Sequence, residues 1–203
     1  LDPNGYPAFA IRPPGNRQEY VVIDFIEPMA ANLAAFGYDA GTQTGNVDAI
    51  RLARDSGRFQ VSAPLKIVQN PGGTPRLVLR APVYRYGEPT SSTEQRRAAL
   101  DGFVVLTIDS QATFGDFFNQ LDVNGVRFRI EDAGLALPGA ASQRMAVFDG
   151  STSVEDQPLY TKKTTVEFGG RNWQVSYDAH PAWLRGQPGR GIPVLVLVGG
   201  LII

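Results

Sequence analysis

Apolar and polar positions run in short blocks along this chain, and the blocks alternate between a period of two and a helical period. Residues 20–26 (Tyr-Val-Val-Ile-Asp-Phe-Ile) are β-branched and aromatic between turn signals, which predicts a strand. Residues 28–36 open on proline and close at Gly37, which predicts a short helix. After a polar loop over 39–45, Asn46 stands before a helical stretch, 47–56, that Gly57 ends. Its spacing places Val47, Ile50 and Arg54 on one side, with Asp55 able to pair back to Arg51. Residues 59–62 and 65–69 read as short strands around Pro64, and Asn70-Pro-Gly-Gly-Thr as a turn. Residues 76–85 form a long strand, in which Pro82 marks an edge or a bulge. Ser91 and Glu94 have capping-box spacing ahead of a helix reaching Leu100. Asp101-Gly102 reads as a turn and residues 103–108 as an apolar strand.

A second unit begins near Ser110. Phe114, Phe117, Phe118 and Leu121 share one side of a short helix over 114–121. Strands are expected over 126–130, 145–148, 164–168 and 173–177, the last two joined in a hairpin at Gly169-Gly170. The fold class expected is therefore α+β, with two small mixed sheets in series. The first unit spans 1–109, the second 110–190, and residues 191–203 form a separate apolar end.

Composition narrows the functions open to such a chain. With 43% apolar and 19% charged residues and a formal net charge of −1, it reads as a folded domain without the basic footprint of a nucleic-acid binder. Cysteine is absent and His180 is the single histidine, so thiol catalysis, disulfides and Cys- or multi-His metal sites are excluded. No cofactor is expected. Leu1 is not an initiator methionine and no signal peptide follows, so the chain reads as an excerpt of a longer protein. The run Ile-Pro-Val-Leu-Val-Leu-Val-Gly-Gly-Leu-Ile-Ile at 192–203 would extend roughly 18 Å as a helix, against about 30 Å of bilayer core. Two readings stay open for it, the first half of a transmembrane helix or a C-terminal core strand. Arg185 and Arg190 beside it weigh against an outside-facing flank.

Several pieces, taken in order, resemble the CHASE domain, the cyclase and histidine-kinase associated sensory extracellular module. They are Tyr-Val-Val-Ile-Asp-Phe-Ile-Glu-Pro (20–28), Asn32 with Phe36-Gly37-Tyr38-Asp39, Ala53-Arg54-Asp55-Ser56-Gly57, Ser62-Ala63-Pro64-Leu65-Lys66-Ile67-Val68, Ala81-Pro82-Val83-Tyr84 and Gly102-Phe103-Val104. The resemblance covers about half the chain. It implies a sensor outside the inner membrane, periplasmic or extracellular, held between two transmembrane helices. It implies an N-terminal stalk helix, largely missing from this chain, and two PAS-like lobes, membrane-distal and membrane-proximal. It implies a homodimeric full-length receptor with a histidine kinase, nucleotide cyclase or diguanylate cyclase as output. The ligand would be a small molecule, purine-like as in the plant cytokinin receptors or a small organic anion, and the sensor itself no enzyme.

The resemblance also points to ligand-binding positions. Asn46 stands where the plant receptors hold adenine with an aspartate; it can donate and accept but carries no charge, and its bland reading is an N-cap. Arg80 replaces a ligand-contacting threonine on the strand before Pro-Val-Tyr, and facing a pocket it would await a carboxylate or phosphate. Val68 corresponds to a backbone contact and Ser62 to a pocket-wall threonine. Arg54, Asp55 and Gly57 read as a helix end with a surface pair. His180 reads as a packing residue and Trp183 as an interface anchor. Two other classes remain open. One is an extracytoplasmic binding module without signalling output. The other is a hydrolase using Asp24 and Glu27 as paired acids, which would need a shared cleft and a partner group.

Overall fold

The computed structural model describes residues 9–120, 125–140, 144–150 and 157–181. The fold is α+β, with two antiparallel sheets. The elements are α1 (Met29–Asn32), α2 (Thr44–Ser56), β1 (Gln60–Val61), β2 (Leu77–Tyr84), α3 (Thr93–Ala99), β3 (Leu100–Ile108), α4 (Ser110–Asn119), β4 (Val126–Leu135), β5 (Met145–Asp149), β6 (Tyr160–Phe168) and β7 (Arg171–Ala179). The first sheet has the order β1-β2-β3, the second β5-β4-β7-β6. Residues 192–203 and Trp183 lie outside the described residues, and among those no helix is long and apolar enough to cross a membrane.

The two sheets share one apolar core. Val61 and Leu77 from the first meet Phe128, Ile130, Val147, Phe148 and Trp173 from the second. From α4, Phe118 stacks on Phe128 with ring centroids 4.1 Å apart. The Val61 N–H donates to the Gly169 carbonyl at 2.9 Å, so β1 touches the β6–β7 hairpin directly. That hairpin turns at Gly169-Gly170 with φ of +60° and +73°, as the glycine pair predicts.

Several expectations need correction, mostly because a distant partner decided the local structure. Residues 20–26 form no strand; a single bridge joins Val22 to Asp39, and the Asp39 carboxylate takes the Val21 N–H at 2.9 Å. The helix expected over 28–36 stops at Asn32, and the Arg12 guanidinium donates to the carbonyls of Ala34 and Phe36 just beyond it. Residues 65–69 contribute only a bridge between Leu65 and Arg76 before turning at Ile67–Asn70. The α3 capping box is Ser92 with Gln95, not Ser91 with Glu94, because Gln95 Oε1 accepts from the N–H groups of both serines. Asp101 and Gly102 lie inside β3, where Gly102 pairs with Val83. Pro82 is accommodated in β2 beyond the reach of the two-residue β1, next to a register slip at Val83–Tyr84.

α2 buries Asn46, Ala49, Ile50 and Ala53, and leaves Val47 exposed. Arg51 pairs with Asp48 rather than Asp55. Asp55 instead receives Arg97 at 2.6 Å and Arg54 at 2.8 Å, which ties the end of α2 to α3. These bonds hold the Asp55 carboxyl well below the usual carboxylate range, the Arg97 hydrogen bond most of all. A depressed folded-state pKa contributes stability above the unfolded value that is lost as pH falls through and below it. Thermal melts from pH 7 to pH 3 should therefore show a steeper acid loss in the wild type than in Asp55→Asn. Parallel curves would mean the pair contributes nothing.

Candidate ligand site around Arg80

Alternation along β2 turns Arg80 and Tyr84 to the face that α2 covers. The Tyr84 hydroxyl donates to the Arg54 carbonyl of α2 at 2.7 Å. Arg80 is only 2% exposed, and its guanidinium donates to Oδ1 of Asn46 on α2. Asn46 is not the N-cap; it lies within the first turn of α2, whose N-cap is Gln43. Its Nδ2 donates to Gln43 Oε1 at 2.9 Å, and Gln43 Nε2 donates to the Lys66 carbonyl at 2.8 Å. Both polar ends of the Asn46 side chain are thus engaged by the protein.

Arg80 lacks the partner that a buried guanidinium ordinarily requires. Among the described residues no carboxylate pairs with it, and its Nε is buried without a hydrogen-bond acceptor. Burial pushes its pKa down to about 10 through desolvation, which still leaves the group charged at neutral pH. A charge held this way is costly unless something compensates it. Elsewhere in the molecule the same residue type is compensated: Arg171 forms a two-pronged pair with the buried Asp132 at 2.9 and 2.6 Å.

The structure brings Arg80 and Asn46 into direct contact and places Ser62 opposite Val78, two residues from Arg80 along β2. The Ser62 hydroxyl, fully buried, accepts from the Val78 N–H at 3.0 Å, and the Ser62 N–H donates to the Val78 carbonyl at 2.9 Å. Ser62 therefore extends the β1–β2 ladder. Val68 is half-buried in the turn two residues after Lys66. Gln43 was not singled out from sequence, because nothing local marks a side chain whose partner lies 23 residues away. Asp24 and Glu27 are both exposed, which gives the paired-acid reading no buried setting. Among the described residues no cluster of acids and histidine could hold a metal ion. His180 is buried just after β7 and its backbone N–H donates to the Gly125 carbonyl at 2.8 Å.

Comparison with known proteins adds one match. The family model described as the CHASE domain covers residues 2–160. No curated protein matches the chain.

Proposed function

Since the chain belongs to the CHASE domain family, an extracellular sensory domain of signalling receptors, we propose that it senses a small organic anion, a carboxylate or phosphate, at Arg80. The observation that carries this reading is the buried guanidinium with no carboxylate beside it among the described residues and an Nε without an acceptor there. An anion accepting from Arg80 would relieve that cost, whereas a neutral purine would not. Asn46 supports the same direction, because its oxygen already accepts from Arg80 and one of its N–H groups is held by Gln43, which fixes the amide's orientation. Ser62 and Val68 would contribute wall and backbone to the site.

In this reading the sheets belong to a membrane-distal and a membrane-proximal PAS-like lobe. Membrane helices flank them in a homodimeric receptor whose output is a kinase or cyclase. The ligand favours one arrangement of the distal lobe and shifts the population toward it, by no more than its differential affinity allows.

Benzoate and adenine, similar in size but opposite in charge demand, test the site by calorimetry at fixed salt. Wild type should bind benzoate better than adenine. Arg80→Thr should weaken benzoate by about 10- to 100-fold, the range for hydrogen bonds to a charged group. Equal benzoate affinity in the two proteins would overturn the anion reading.

A further inference from the structure

Arg80 ends a chain of side-chain hydrogen bonds that runs through Asn46 and Gln43 to the carbonyl of Lys66. The two ends have fixed chemistry. A guanidinium only donates, and a backbone carbonyl only accepts. Between them each amide can face only one way. Gln43 must turn its nitrogen to Lys66 and its oxygen to Asn46, and Asn46 must turn its oxygen to Arg80. A primary amide standing alone could turn over and exchange donor for acceptor; these two cannot without breaking the chain.

The position of Gln43 is unusual in a second respect. It is the N-cap of α2, in extended backbone at φ −90° and ψ 117°, yet its side chain makes no capping bond. Serine, threonine or aspartate at that position would satisfy a helix N–H. Gln43 instead spans from α2 to the segment after β1, leaving the cap unmade.

We propose that Gln43 is a positioning residue that sets the ligand selectivity of the Arg80 site. By accepting one N–H of the Asn46 amide, it holds that amide with its oxygen toward Arg80 and leaves the guanidinium as the donor that discriminates between ligands. Without Gln43 the Asn46 amide gains a loose donor end and can turn to meet a purine edge. The proposal rests on the anion reading of Arg80 given above, and the two fail differently.

Gln43→Ser separates selectivity from stability. Its hydroxyl can cap α2 and so offsets part of the cost of freeing the buried Asn46 donor, which should keep the melting temperature near that of wild type. It cannot reach both Asn46 and Lys66, so the ratio of benzoate to adenine affinity, read by calorimetry, should fall about tenfold, the loss expected from one hydrogen bond. In 15N-correlated NMR spectra the Asn46 side-chain amide signals should move in the variant. Gln43→Met, which keeps the length of the side chain without its amide, should lower the ratio equally and decides the matter if the serine variant does not fold. If both variants keep the wild-type ratio while Arg80→Thr collapses it, Gln43 is not the determinant and the anion reading stands. If wild type binds neither probe, or Arg80→Thr keeps the wild-type ratio, the anion reading fails and the role of Gln43 fails with it.

Discussion

Asp132→Ala is expected to destabilise the domain by about 3–5 kcal/mol, because it leaves the Arg171 guanidinium buried without its counter-charge. Asp132 is fully buried and Arg171 is 8% exposed. Both carboxylate oxygens receive the guanidinium, and Oδ1 also takes the Gly134 N–H at 3.0 Å. That third bond sits where the β4–β7 ladder slips, between the Asp132–Trp173 and Leu135–Arg171 pairings. The pair therefore fixes the bulge as well as neutralising a charge, and the bulge sets which residues of β7 reach the core. Urea unfolding measures the loss as a lower midpoint at unchanged slope. The double variant Asp132→Leu with Arg171→Met should recover most of it, since removing both charges leaves neither stranded. A single variant within 1 kcal/mol of wild type would show the pair to be inessential.

Gly169→Ala is expected to cost about 2–5 kcal/mol, from a left-handed backbone and overpacking together. A Cβ there would stand 2.2 Å from Val61 Cγ2, 3.1 Å from its Cβ and 3.2 Å from its nitrogen. Val61 is 1% exposed and accepts no shift without disturbing the core shared by the two sheets. Gly87 is the control. Its φ is +82° but nothing lies within 4 Å of the added carbon, so Gly87→Ala should lose only the backbone part, about 1–2 kcal/mol. Equal losses at the two sites, measured by thermal unfolding, would mean the contact with Val61 is relaxed at no cost.

What the sequence revealed and what it hid divide along the range of the interactions. β2, the apolar half of β3, and β7 were legible because runs of β-branched and aromatic residues pack on a sheet whatever their partner is. The Gly169-Gly170 hairpin was legible because its turn chemistry is local. Residues 20–26 misled, since an extended apolar segment looks the same whether it meets a strand or, as here, the turns around Asp39. The shortened α1 and the Gln43 relay were illegible for one reason: Arg12 and Lys66 act on groups 22 to 24 residues away. In the site, the resemblance to plant receptors pointed to Arg80 and Asn46, which the fold brings into contact. It carried no sign that Asn46 is bonded at both ends or that the Ser62 hydroxyl accepts from the Val78 backbone N–H.

β1 also bears on where this chain can change length. Its two residues pair with Arg80 and Leu79, and its Val61 N–H belongs to the hairpin of the other sheet. A strand that slips by one residue exchanges its faces. One inserted residue before Gln60 would set Gln60 at the seam in place of Val61 and carry Val61 to the place of Ser62 opposite Val78, damaging core and site in one step. The turn at 70–74 pairs with no second sheet and has open space around Gly72, while the close neighbour of Gly73 is the side chain of Asn70 in the same turn. Across a lineage, insertions and deletions should gather at that turn and avoid β1, a length barrier created by two residues held from both sides.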